Sequence, residues 1–164
     1  MRAVSNTSPI SNLAIIGRLE LLRQRYGIVR IPPAVAQELA ALSHPASRIR
    51  IDAAIAEGWL KIENPPTTPL SLPFPLDPGE TEAIALALAT RADVLLMDEK
   101  RGRVAARDNS LVVAGVLGEL LHARKAGLIP DLRTEIQRLR TEARFFVDVN
   151  IERFLLSEAG EAGE

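Results

Sequence analysis

The sequence predicts an α/β domain in three layers, a central parallel β-sheet with helices on both faces. Short apolar runs rich in β-branched residues alternate with segments of helical periodicity, the pattern of right-handed βαβ crossovers. A chain of 164 residues matches the size at which one core serves one domain. Its 47% apolar and 25% charged residues are those of an ordinary globular protein, which excludes a mainly disordered chain. Residues 1–157 are expected to form a single domain and 158–164 a disordered tail.

The elements follow in order. Residues 1–6 read as a short buried strand. Leu13, Ile16, Leu19, Leu21 and Leu22 then recur at helical spacing, and Gly17 divides the run into two short helices. "GIVRIP", 27–32, is a second strand stopped by Pro32-Pro33, and the second proline suits the first turn of a helix carrying "AVAQELAAL". Residues 46–58 read as a helix ended by Gly58, and "WLKIE", 59–63, as a strand. The stretch "NPPTTPLSLPFPLDPG" has five prolines before Pro78, which rules out regular structure across most of it. Its leucines and Phe74 need somewhere to pack, so it is expected to be an ordered surface loop.

Asp77 as N-cap, Pro78 at the first helical position and Glu80 three residues after the cap mark the start of the next helix. "DVLLMD", 93–98, is a buried strand ending in a carboxylate, "RGRVAARDNS" a helix, and "LVVAG", 111–115, a strand. Residues 116–126, 131–143 and 150–158 complete the chain as helices.

Twenty basic and 21 acidic residues leave a net charge of −1, without the broad positive field of a non-specific nucleic-acid binder. A small acidic site could still meet phosphate through a metal. The absence of cysteine removes disulfides and thiolate zinc sites. His44 and His122 lack the spaced partners of a zinc site. No apolar run approaches the ~20 residues of a membrane span, and no signal peptide is visible, so a cytoplasmic location is expected.

Ligands of open parallel sheets bind beyond the carboxyl ends of the strands. Four polar positions fall there: Asn6 after the first strand, Glu38 on the helix after the second, Glu80 opening a helix, and Asp98 ending a core strand. Carboxylates distant in sequence that converge on one rim form the oxygen cage preferred by Mg2+ or Mn2+. Such a metal can activate water and stabilise a phosphodiester under attack.

At these residues the chain resembles the PIN-domain family, especially a branch of uncharacterised PIN-like proteins of bacteria and archaea. The resemblance is carried, in order, by "SNTSPI", "IPPAVAQEL", "LDPGETEAIALALA", "VLLMDEKRGRVAA" and "GVLGELLHARKAGLI", over roughly residues 3–129. It implies a nuclease-like fold with an acidic site. Many members are ribonuclease toxins of the VapC type restrained by an antitoxin, and dimerisation is usual. Glu38 matches the second acidic position of the family, Glu80 the third and Asp98 the fourth, while Asn6 stands where the typical nuclease has its first aspartate. An amide offers a carbonyl oxygen to a cation but brings no charge and cannot act as a base.

The resemblance thus implies a Mg2+- or Mn2+-dependent ribonuclease with Glu38, Glu80 and Asp98 as catalytic acids and Asn6 as a further metal ligand. The alternative is a weak or inactive module that binds RNA or a protein partner. Each residue also has a plainer reading. Asn6 serves equally well as a turn or cap residue. Thr7 and Ser8 either touch a phosphate or, the favoured role, cap the following helix. Glu80 completes a capping box. Glu82, about 200° around the helix from Glu80, competes with it for the site or stays solvated. Glu38 could be solvated and Asp98 a cap. Lys100, Arg101 and Arg103 could bind phosphates, with at most one of the two arginines facing the cleft.

Overall fold

Alternation along the first and fourth strands explains the layers. In β1 (Ala3–Ser5), Ala3 joins the larger apolar core while Val4, pointing the other way, joins the smaller. In β4 (Val94–Leu96), Val94 and Leu96 again face the larger core and Leu95 the smaller. Both strands are buried on both faces, as central parallel strands must be. A computed structural model describes residues 1–161.

The other strands are β2 (Val29–Ile31), β3 (Leu60–Ile62) and β5 (Val113–Ala114). All pair in parallel in the order β3-β2-β1-β4-β5. The chain therefore builds outward from β1 to β3, then returns to the other side of β1 with β4. The order reverses between β1 and β4, and the crevice beyond the carboxyl ends of those two strands is the expected ligand position.

Helices α1 (Thr7–Ile15), α2 (Glu20–Tyr26), α3 (Pro33–Ala40) and α4 (Pro45–Ala56) follow the first two strands. Gly17, with φ of 74°, makes the turn between α1 and α2 that the sequence indicates. Helix α5 (Pro78–Ala89) starts as its cap predicts: Oδ1 of Asp77 accepts from the Glu80 N–H at 2.8 Å. With α6 (Lys100–Asp108) it covers the smaller core, where Ala83, Ile84, Ala87, Ala105 and Ala106 meet Val4, Leu95 and Met97. Leu70, Leu72, Phe74 and Leu76 of the proline-rich loop pack onto the same core, so this segment is tied to the domain.

Helices α7 (Val116–Lys125), α8 (Leu132–Thr141) and α9 (Val149–Glu158) pack on the larger core. The tail expected from residue 158 is held over its first residues. Glu161 accepts from the Leu132 and Arg133 N–H groups at the start of α8, at 2.7 and 3.2 Å, and pairs with Arg124. The remainder of that tail, 162–164, lies outside the described residues.

Candidate acidic site

Asn6 sits immediately after β1, with its N–H donating to the Leu96 carbonyl of β4 at 2.9 Å. It occupies the N-cap position of α1 yet makes no side-chain cap bond. The residue is 4% exposed and its Oδ1 is buried without a partner. A capping asparagine would have spent that oxygen on the helix amides.

Asp98 follows β4 across the crevice. One oxygen, Oδ1, accepts from the Val116 N–H at the start of α7 at 3.0 Å, and Oδ2 is buried and unpaired. Burial is the main force raising its pKa to about 6; the Val116 amide and the Arg103 charge pull the other way, and Glu99 pushes upward.

Glu80 lies in the first turn of α5, 7% exposed, with Oε2 buried and unpaired. Its pKa is pushed up to about 8 by burial first, then by contact with the Asp77 carboxyl and by the negative charges of Asp77, Glu99 and Glu38. Glu82 points elsewhere and accepts from the Ala34 N–H at 3.2 Å, near the start of α3. Helix geometry thus separates the two acids, and Glu80 is the one turned inward.

Glu38 is exposed on α3 and reaches toward the starts of α1 and α5. Its Oε2 accepts from Oγ1 of Thr7 at 2.5 Å, and Oε1 lies against Gly79. Ser8 donates in the same way to Oε1 of Glu99 at 2.6 Å. The hydroxyls of Thr7 and Ser8 therefore hold carboxylates, in place of the helix capping that the sequence favours. The two arginines also part company. Arg103 donates to the Met97 carbonyl at 3.1 Å and approaches Asp98, whereas Arg101 lies over the Phe74 ring on the proline-rich loop.

Three glycines not foreseen in the sequence make this packing possible. A Cβ added at Gly79 would lie 2.5 Å from Oε1 of Glu38, one at Gly102 2.5 Å from Oε2 of Glu80, and one at Gly115 2.5 Å from Oδ1 of Asp98. Each acid rests on bare backbone in or next to the first turn of a helix. The available signal was a glycine inside or opening a helical pattern, where it costs about 1 kcal/mol against alanine. Glu99, at the N-cap of α6, was also missed as a neighbour of the site.

Among the described residues, no three His, Cys, Asp or Glu side chains are already gathered into a metal cage. The donor set nevertheless suits a hard cation. Oδ1 of Asn6, Oε2 of Glu80 and Oδ2 of Asp98 are buried oxygen acceptors with no protein donor, a costly state that a cation would relieve.

The raised pKa values have a consequence for the metal-free protein. Asp98 and Glu80 hold protons more tightly when folded, so their stabilising contribution is complete below the ordinary carboxylate pKa of about 4. It is lost as pH rises through about 6 for Asp98 and about 8 for Glu80. In EDTA, the urea midpoint is expected to fall between pH 5 and pH 8.5, and Glu80→Gln should flatten that fall and raise the pH 8.5 midpoint by the equivalent of about 1 kcal/mol. An unchanged slope in Glu80→Gln would contradict this account.

A family model described as DUF3368, a PIN domain, matches residues 2–161. No curated protein matches the chain.

Proposed function

The chain belongs to the PIN-domain family, of the uncharacterised DUF3368 type, and from that premise we propose that it is a divalent-metal-dependent endoribonuclease. The observation that carries the reading is three unpaired buried oxygens, on Asn6 after β1, on Asp98 after β4 and on Glu80 in the first turn of α5. Membership suggests nuclease-type chemistry and dependence on a divalent metal; Mg2+ or Mn2+ fits the all-oxygen donors.

Asn6, Glu80 and Asp98 would hold the metal, with Glu38 as the outer acid. When bound, the metal would supply positive charge to the attacked phosphodiester and a more acidic water. The chain itself does the positioning. The Val116 N–H fixes the Asp98 carboxylate, leaving Oδ2 free to ligate. Thr7 steadies Glu38, and the partial positive charge at the helix starts favours these anions. Arg103, beside Asp98, would meet a phosphate oxygen, and Lys100, exposed at the start of α6, would do the same.

A second reading, a catalytically weak module that binds RNA or a protein, is favoured by one residue, Asn6. Its neutral amide leaves the site one charge short of four acids. The toxin of a toxin–antitoxin pair is the finer version of the first reading. Phe146 and Phe154, 84% and 62% exposed, support a macromolecular partner for the carboxyl-terminal helices, an antitoxin or a second copy of the chain. No described helix is long and apolar enough to cross a membrane.

Incubation with a mixed panel of structured and single-stranded RNAs tests the reading. Cleavage with Mn2+ that EDTA stops is expected, and binding without cleavage would transfer the assignment to the module. Thermal unfolding gives a second measure. Mn2+ at a hundred times its Kd should stabilise the fold by about 2.7 kcal/mol, and no shift at millimolar Mn2+ would count against any metal site.

A further inference from the structure

Between the proline-rich loop and the first turn of α6 lies a pocket of about 290 Å3. Pro75 and Leu76 contribute mainly apolar walls, while Asp77, Glu99, Lys100 and Arg101 contribute charge of both signs. Glu80 also lines it, so the pocket adjoins the acidic centre. Its volume is close to the roughly 300 Å3 at which small-ligand sites begin, enough for one planar ring system.

Arg101 gives the pocket a flat surface. Its guanidinium lies 4.3 Å from the centroid of the Phe74 ring, and Nη2 donates to the Pro75 carbonyl at 3.3 Å. Phe74 is in turn packed on the smaller core, so the guanidinium is supported from beneath. Arginine planes and aromatic rings are the surfaces on which proteins stack unpaired bases.

The carboxylates set the edge chemistry, because an ionised carboxylate only accepts. Oδ1 of Asp77 is engaged by the Glu80 N–H and Oε1 of Glu99 by the Ser8 hydroxyl. Those bonds fix both side chains, and the Asp77 carboxyl also meets that of Glu80; a carboxylate has about four acceptor sites, so each keeps capacity for an incoming donor. Guanine presents its N1–H and its N2 amino group side by side on one edge. Adenine and cytosine set an acceptor beside their amino group, and uracil flanks its single N–H with carbonyls, so each would bring an acceptor against a carboxylate.

We propose that this pocket binds a guanine base of the RNA strand, stacked on Arg101, with Asp77 and Glu99 accepting its N–H groups. The RNA source rests on the nuclease reading, whereas the base preference is read by binding alone.

Fluorescence anisotropy of short labelled uridine oligonucleotides carrying one central guanosine, inosine or uridine, with Ca2+ replacing Mn2+, measures the preference. The guanosine strand should bind wild type at least about fivefold tighter than the all-uridine strand. Inosine, lacking the N2 amino group, should fall between. Arg101→Ala and Arg101→Lys, at an exposed position, should both bring the guanosine strand down to the affinity of the all-uridine strand in the same variant, Arg101→Lys keeping the charge and losing only the plane. Equal affinity for all strands, or a preference that survives in both variants, overturns the proposal. GMP that competes as strongly as the guanosine strand would overturn the strand as the source of the base. Parallel cleavage with Mn2+ separates the two readings: cleavage with no guanosine preference in binding removes the pocket and keeps the nuclease, and a guanosine preference in binding without cleavage does the reverse.

Discussion

Asp98→Asn is expected to lower Mn2+-dependent RNA cleavage by about a hundredfold or more while leaving the fold intact. Changes to residues that merely orient metal ligands cost about 10- to 100-fold, and loss of a ligand's charge should cost at least the upper part of that range. The fold should survive because asparagine keeps an acceptor for the Val116 N–H and removes a carboxylate whose ionisation burial opposes. Unfolding in EDTA therefore separates a chemical effect from collapse. Asn6→Asp is the informative partner, since it adds charge where Oδ1 is already buried and unpaired. It should destabilise the metal-free protein, enlarge the Mn2+ stabilisation and raise cleavage. Wild-type activity that is lost only in Asp98→Asn would show that an amide is tolerated at position 6. A silent wild type with an active Asn6→Asp would show a site short of one charge, and silence in all three would sink the nuclease proposal.

Arg18→Met is expected to cost the fold about 3–5 kcal/mol. Glu135 on α8 is only 1% exposed, and its Oε1 accepts from both Nε and Nη2 of Arg18, at 3.0 and 2.7 Å. Its nearest remaining cation would be Arg138, 3.7 Å from an Oε2 that already has no hydrogen-bond partner. Removing Arg18 leaves a buried carboxylate almost uncompensated, whereas removing both charges does not. The double variant Arg18→Met/Glu135→Leu should accordingly recover most of the loss. At about 2–4 °C per kcal/mol for a chain of this size, the single variant should melt on the order of 10 °C lower. A melting temperature within a degree or two of wild type would refute the role assigned to the pair.

Much of the fold was legible because its signals are local. Pro33 and Pro78 open helices, Asp77 caps one, and Gly17 supplies the positive φ that ends another run, all within a few residues of the structure they cause. Strand ends were less sharply marked. The apolar run predicts a strand to Asp98, whereas β4 ends at Leu96; Met97 still donates to the Ala114 carbonyl, and at Asp98 the chain is turning toward α6, its side chain accepting from the Val116 N–H. The strand order could not be read from periodicity, which reports which residues face a core and not which strand lies beside which.

The acidic site divides along the same line. By itself the sequence determined that Asn6 and Asp98 follow core strands and that Glu80 opens a helix, because apolar runs and caps fix those positions wherever the elements go. Only the tertiary structure decided which side chains face the crevice and what they meet there. Thr7 reaches Glu38 across 31 residues and Ser8 reaches Glu99 across 91. Glu82 turns to α3, Arg101 to Phe74, and Gly79, Gly102 and Gly115 make room for three carboxylates. The physical reason is that a buried polar atom is satisfied, or left unpaired, by partners that sequence distance does not reveal. The oxygens of Asn6, Glu80 and Asp98 lack such partners only because packing closed over them.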